Sequence, residues 1–389
     1  MTQPEITAKI AGSAADIGRT AWNACANPEG SPDPHPFTRY EFFEALEESG
    51  SATARTGWRP CHLVIESNHE ISGLMPMYLK SHSRGEYVFD WGWADAFERA
   101  GGDYYPKLQA SVPFTPVTGP RLLISRGDVE DTEKTRNALL AAGASAVSQL
   151  GASSLHITFL TESEWRAAAS LGFLQRTDQQ FHWENRGYAT FDEFLKELSS
   201  SKRKNLRKER AAVFGDGVEF EWLSGHEITE AHWDRFFGFY MDTGSRKWGT
   251  PYLARDFFSR VGDSMSEQIV LILAKRSGRY IAGALNFMGE GALFGRNWGC
   301  TESVPFLHFE TCYYQAIEFA IARGLKRVEA GAQGEHKLLR GYLPVATYSA
   351  HYIAHSGLRR AIADFLCHER EAVAEQIEVL AEHGPYKKI

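Results

Sequence analysis

Between positions 329 and 341 the chain concentrates groups able to move protons or hold anions. The stretch 331–341 reads GAQGEHKLLRG, with Glu335, His336, Lys337 and Arg340 following two glycines. Gly331 and Gly334 permit close backbone approach and unusual dihedrals. His336 and Arg340 stand four residues apart and share a face of any helical turn. An imidazole there can shuttle a proton, while Lys337 or Arg340 can hold a phosphate or carboxylate. Gln333 and the first N–H groups of the next turn offer donors to a carbonyl or phosphate. Glu329 alternates away from Val328 and Ala330 and is a further acid for the same cleft.

Another acid, Glu310, interrupts an apolar arc. At about 100° per residue it falls between Tyr313 and Ile321 on a helix expected over residues 307–323, whose wet face would be Thr311, Gln315 and Glu318. A carboxylate in an apolar arc is costly unless hydrogen-bonded, and burial raises its pKa toward the range of a general base. The plainer reading is an acid in a first turn, where the helix dipole favours it.

The third group is basic. Residues 201–210, SKRKNLRKER, hold six basic side chains to one acid in a chain of net charge -7. The overall charge argues against general nucleic-acid binding, so the patch points to a particular phosphate-bearing ligand. Lys202, Arg203 and Arg207, with the N–H groups opening their helix, are the expected phosphate contacts. A solvated helix face is the alternative. His308, Cys312 and Cys300 mimic a metal set, but no fourth ligand has suitable spacing, and neither a metal nor a tightly bound cofactor is expected.

The elements that must position these groups follow from periodicity. The 389 residues are enough for two to three domains. In the first half, strands are expected at 61–66, 71–80, 86–91 and 154–160, with a splayed strand at 112–118. Helices are expected at 38–49 (with a Thr38/Glu41 capping box), 132–150 and 162–171. The second half has a hairpin at 269–275 and 280–288, a strand at 292–298, the helix at 307–323, a strand at 326–331, a short helix at 335–341 and a strand at 346–353. Between the halves, 190–214 is a basic helical segment, and 356–383 a long closing helix. Short echoes join the halves: ISGLMPMYL against IAGALNFMG, and FDWGW against GRNWG. Arg296, Asn297 and Trp298 would flank a substrate groove, with Asp90 and Trp93 in the equivalent place of the first half, and Tyr105 on a nearby polar-aromatic wall.

RNWG, LHFETCYYQAIE and EAGAQGEHKLLRG, within this element order, resemble the FemAB-like (FemABX-related) family of predicted N-acyltransferases. The resemblance implies an α/β (α+β) fold of two tandem GNAT-like domains, residues 1–185 and 186–389, with mixed, largely antiparallel sheets flanked by helices. It also implies an enzyme moving an acyl or aminoacyl group from acyl-CoA or aminoacyl-tRNA to a small-molecule or peptide amine. Glu310, His336 and Glu329 would then be catalytic, and Glu335, Lys337, Arg340 and Gln333 would bind substrate. The pyrophosphate loop (Q/R)xxGx(G/A) of ordinary CoA-dependent acetyltransferases is missing from both halves. A non-catalytic binding protein built on a degenerate pair is the alternative from another class. No apolar run reaches the roughly 18 residues of a membrane span. The N-terminus carries no signal-peptide pattern and the five cysteines form no CxxC, so a cytoplasmic protein is expected. Nothing in the residues bears on oligomeric state.

Overall fold

The computed structural model describes residues 6–31, 33–247, 251–331 and 334–387, without the side chains of 245–247 and Glu335. The chain forms two compact units, residues 1–178 with 346–374 and residues 179–345 with 375–389. Residues 346–353 and most of the long last helix, Ser356–Glu382, belong with the first unit.

Strands in chain order are β1 (Ile6–Ala11), β2 (Trp58–Pro60), β3 (His62–Ser67), β4 (Glu70–Met75), β5 (Met77–Lys80), β6 (Lys107–Ala110), β7 (Leu123–Ile124), β8 (Ser154–Leu160), β9 (Leu174–Glu184), β10 (Val218–Ser224), β11 (Ile269–Arg276), β12 (Arg279–Met288), β13 (Ala292–Cys300), β14 (Arg327–Glu329) and β15 (Leu343–Ile353). β9 and β15 cross the division between units.

In the first unit β1-β3-β4-β7 form one antiparallel sheet. β8-β6-β5-β2 form a second, with residues 346–353 of β15 on the far side of β8. The segment expected as one strand over 71–80 is cut by Pro76, and its two pieces serve different sheets. A proline cannot donate to the ladder, which accounts for the break. β6 and β8 are parallel and joined by helix Val129–Gln149. That helix and the sheets enclose a core including Leu63, Met75, Leu108, Leu139, Leu155 and Ile157.

The second unit has the order β10-β11-β12-β13-β14-β9, where 179–184 are the relevant part of β9. Its one parallel pair, β13 with β14, is again joined by a helical crossover, and its core includes Trp183, Ile272, Leu293, Ile317 and Val328. β11 is buried along six consecutive residues, as its unbroken apolar run requires.

Several expected elements differ. Residues 86–91 form no strand. Asp90 instead precedes helix Trp91–Arg99, because Glu86 and Asp90 turn their carboxylates inward onto Lys107. FDWGW is therefore not the counterpart of GRNWG, and β6 is the topological partner of β13. Residues 112–118 pair with no strand, as two prolines dictate. The capping box at Thr38 is absent. Thr38 Oγ1 donates to the His35 carbonyl at 3.1 Å, and Glu41 accepts from Asn23. The helix over 307–323 is broken by a π-turn, Glu310–Tyr314, and Thr311 and Gln315 on its supposed wet face are buried.

Candidate active site

β13 pairs with β14 only from Ala292 to Phe294, against Arg327 to Glu329. From Gly295 onward β13 keeps β12 on one side and, among the described residues, has no strand on the other, so the parallel pair opens into a notch. The β12–β13 register slips so that Gly295 and Asn297 face neighbouring residues of β12 and Arg296 is the extra residue. A bulge of this kind re-aims side chains. Arg296, Asn297 and Trp298 are all half-buried along the unpaired edge.

The 3-10 turn Glu335–Arg340 enters from the other side. Gly334 has φ +115°, and a Cβ there would lie 2.4 Å from the His336 ring, so only glycine seats the turn. His336 is exposed, with Nε2 2.9 Å from the Tyr313 hydroxyl. Lys337 is buried and donates from Nζ to the Gly331 carbonyl at 2.8 Å. Burial pushes its amine down to about 7. Arg340 donates to the His336 carbonyl at 2.8 Å and to both oxygens of Glu209 at 2.9 Å. Its guanidinium lies 3.5 Å from the Phe309 ring centre, so it braces the turn from beneath.

Glu310 is fully buried, as its place in the apolar arc implies. Arg210 Nη2 lies 3.0 Å from its carboxylate, and Gln315 donates to it at 2.8 Å. Arg210 also grips Glu318 at 2.7 Å, and Trp222 holds Gln315 at 2.9 Å. Burial raises the Glu310 pKa and Arg210 opposes the rise. This network fixes the π-turn. Arg210→Met leaves Glu310 buried without its cation and is expected to cost about 3 kcal/mol, while adding Glu310→Gln recovers part of the loss. Thermal unfolding of both variants measures this, and an unchanged midpoint in the single variant contradicts it.

Glu329 is buried at the mouth of the notch. It accepts from Arg327 Nε at 2.8 Å and faces His182 at 3.6 Å, while its Oε2 and His182 Nε2 make no hydrogen bond.

Other expected site residues are elsewhere. Lys202 and Arg203 are half-buried in the first turn of helix Ser200–Gly215, and Arg207 is exposed and paired with Asp192 at 3.0 Å. Glu209 and Arg210 of that helix, which the sequence reading passed over, reach the π-turn and the Arg340 turn. The signal was available: Leu206, Arg210 and Val213 follow i, i+4, i+7 spacing, which puts Arg210 on the buried stripe. Gln333 lies outside the described residues, as does the Glu335 side chain. Among the described residues no group of three His, Cys, Asp or Glu side chains is arranged to hold a metal.

Asp90, Trp93 and Tyr105 belong to the first unit. Lys107 Nζ bonds Glu86 at 2.7 Å, Ser83 at 2.8 Å and the Asp90 carboxylate, all buried. Tyr104 donates to Asp90 at 2.7 Å, and His156 meets His351 at 2.7 Å, Nδ1 to Nδ1. Tyr105 bonds Ser83 at 2.8 Å, and Trp93 packs against His351. The corresponding notch between β6 and β8 is filled. Past the last paired residue, Ile157, the Thr158 carbonyl accepts from Arg121 Nε at 2.9 Å and the Phe159 carbonyl from the Gly119 amide at 3.0 Å. Arg121 is fully buried and also donates to the carbonyls of Val117, Gly119 and Pro120.

Two parallel strand pairs, each joined by a helix and neither paired along its whole length, make this a tandem GNAT fold, with the open notch in the second unit. The chain belongs to the FemAB-like family, described as peptidoglycan biosynthesis/recognition, which matches residues 13–388. Solved structures share the fold. FemX is 13% identical with a TM-score of 0.53, over 85% of this chain and 95% of its own. L-PGS from Bacillus licheniformis is 12% identical with a TM-score of 0.50, over 83% and 94%. A tandem GNAT protein from the clavulanic acid biosynthesis pathway is 12% identical, TM-score 0.49, over 90% and 99%. No curated protein matches the sequence. Among the described residues, no helix is long and apolar enough to cross a membrane.

Proposed function

We propose that the second unit is an aminoacyltransferase site, moving an aminoacyl group from a charged tRNA to the amine of a small molecule or peptide in the cytoplasm. The observation that carries this reading is Lys337, a buried amine at the base of the open notch with Nζ 2.8 Å from the Gly331 carbonyl. Membership of a family described by peptidoglycan biosynthesis/recognition supports it. So does the likeness of fold to FemX.

Amide formation from an ester needs three things. The amine must lose a proton, the carbonyl oxygen must have its developing charge met, and the leaving hydroxyl must gain a proton. In this reading His336, exposed and oriented by Tyr313, takes the amine proton and returns it to the leaving oxygen. Protonated Lys337 meets the oxyanion. Arg340 is a positioning residue that holds the backbone of His336, and Glu310 positions the π-turn. The unpaired edge of β13 offers backbone groups to an extended substrate. Notch geometry then does the remaining work by proximity.

Acyl-CoA is the second donor considered. The loop after β13 (TESVPF) carries Glu302, where a diphosphate would need N–H or cationic groups, so it ranks below charged tRNA. A purely binding role requires that His336 and Lys337 be dispensable. Transfer of labelled amino acid from a charged tRNA pool, and of acetyl from acetyl-CoA, onto a panel of amines and lysine-containing peptides tests all three readings. Transfer by neither donor overturns the proposal.

The pH profile is a sharper check. Lys337 acts here as a cation and its amine is pulled down to about 7, so it is protonated below that pH and neutral above. We expect kcat/KM to fall as pH rises through that value, and Lys337→Arg to carry the limb to higher pH. A profile that rises through the same region and is unmoved by the substitution removes Lys337 from this role.

A further inference from the structure

Beside the notch the second unit encloses a cavity of about 210 Å³, lined in part by Thr243, Trp298, Cys300, Glu302, Leu307 and His308. That volume is below the roughly 300–1,000 Å³ of pockets that hold whole drug-sized ligands, so it suits one part of a larger substrate. One wall is aromatic. The Trp298 and His308 rings lie 5.1 Å apart, and His308 continues to Tyr313 at 5.4 Å and His336 at 6.3 Å. The cavity therefore adjoins the proposed proton-transfer pair. The rest of the lining is mixed: Val304 and Leu307 are apolar, while the hydroxyls of Thr243 and Ser303 and the Glu302 carboxylate supply polar groups. Glu302 is held in place by Arg276, with Arg279 at 3.8 Å. Just before Leu307 of the lining, Phe306 is 39% exposed and sits at φ +65°, a left-handed conformation that non-glycine residues keep only when the surroundings enforce it.

A flat ring wall, hydroxyl groups at Thr243 and Ser303 on the same lining and room for a fragment fit a heterocyclic base carrying an exocyclic amine. We propose that this cavity takes the adenine of the activated donor, stacked on Trp298. The inference rests on the transferase reading above. Adenosine is shared by two donors, the 3′ end of a charged tRNA and CoA, and the experiment separates them.

The full chain is titrated by calorimetry with AMP, CoA and an RNA minihelix ending in CCA, and with the same minihelix lacking its terminal adenosine. All three adenosine ligands are expected to bind, and Trp298→Ala to weaken each by about 5- to 150-fold, the range of a lost base–aromatic stack, while Trp298→Phe retains most of the affinity. Ser303→Phe, at an exposed position on another part of the lining, should block binding while leaving the thermal midpoint unchanged, which protects the test if Trp298→Ala folds poorly. Minihelix binding tighter than CoA, and lost with the terminal adenosine, names RNA as the source. CoA binding tighter than the minihelix names the thioester. No binding of any adenosine ligand, or equal binding by folded Trp298→Ala and Ser303→Phe, overturns the proposal. Transfer assayed in the same preparations keeps the two ideas apart. Lys337-dependent transfer with affinity and KM indifferent to Trp298 sinks the adenine site alone. Trp298-dependent adenosine binding without transfer sinks the transferase reading alone.

Discussion

Replacing Lys337 by methionine is expected to lower kcat about 100- to 1,000-fold, the range for removing one preorganised donor to a developing oxyanion. The same change should leave the fold at least as stable at pH 7. In the folded chain the Lys337 amine is pulled from 10.5 to about 7 by burial. A base depressed on folding contributes its full stability above the unfolded value and loses it as pH falls toward the folded one. At pH 7 the unfolded chain carries this proton in full, whereas the folded chain carries it in only about half of its molecules. Three and a half pH units set an upper bound of about 5 kcal/mol on that penalty. Methionine matches the length of the stem and never carries the charge. Thermal unfolding at pH 7 and pH 9.5 should show the variant's advantage shrinking at the higher pH. Unaltered turnover would sink the assignment, and a large loss of stability at pH 7 would show that the Gly331 hydrogen bond matters more than burial.

The other large effect is expected in the first unit. Lys107→Met removes the cation shared by Glu86 and Asp90 and should cost about 3–5 kcal/mol, as breaking a buried pair from one side does. Burial works to raise the Asp90 carboxyl, but Lys107 and His156 overcome it and hold the group well below the usual range. Glu86, by contrast, is pushed by burial up to about 7 against the pull of Lys107. Without Lys107, Asp90 keeps the Tyr104 hydroxyl and the His156 ring only at 3.8 Å, and Glu86 keeps Lys80 only at 3.8 Å. The triple variant Lys107→Met, Glu86→Gln, Asp90→Asn should recover much of the loss. Hydrogen exchange of β6 and β8 amides reads this unit alone, which global unfolding of a two-unit chain does not. Equal protection in the wild type and the single variant would show the cluster to be energetically idle.

How far the residues themselves foretold this arrangement depended on the signal each carried. β8, β11 and β12 were legible because buried strands make largely apolar runs flanked by turns. The tandem architecture followed from element order and from the resemblance carried by three short motifs. The turn at 331–341 was conspicuous by the density of its ionisable groups, and the structure brings His336, Lys337 and Arg340 together there. Residues 86–91 misled because aromatic residues near an acidic pair read as a strand, when the acids were answering a lysine some twenty positions away. Gln315 was read as solvent-facing, but Trp222, 93 residues earlier, bonds it from outside the helix. Long-range partners are what a linear pattern conceals.

Arg121 gives the first unit a constraint as well as a shape. Its guanidinium answers four backbone carbonyls, those of Val117, Gly119, Pro120 and Thr158. A shorter residue at that position strands them at about 1–3 kcal/mol apiece, against a total stability of some 5–15 kcal/mol for an ordinary domain. Any single substitution that opens this cleft therefore puts much of the unit's stability at stake, so that the first unit tolerates change at position 121 far less readily than the second unit does around its open notch.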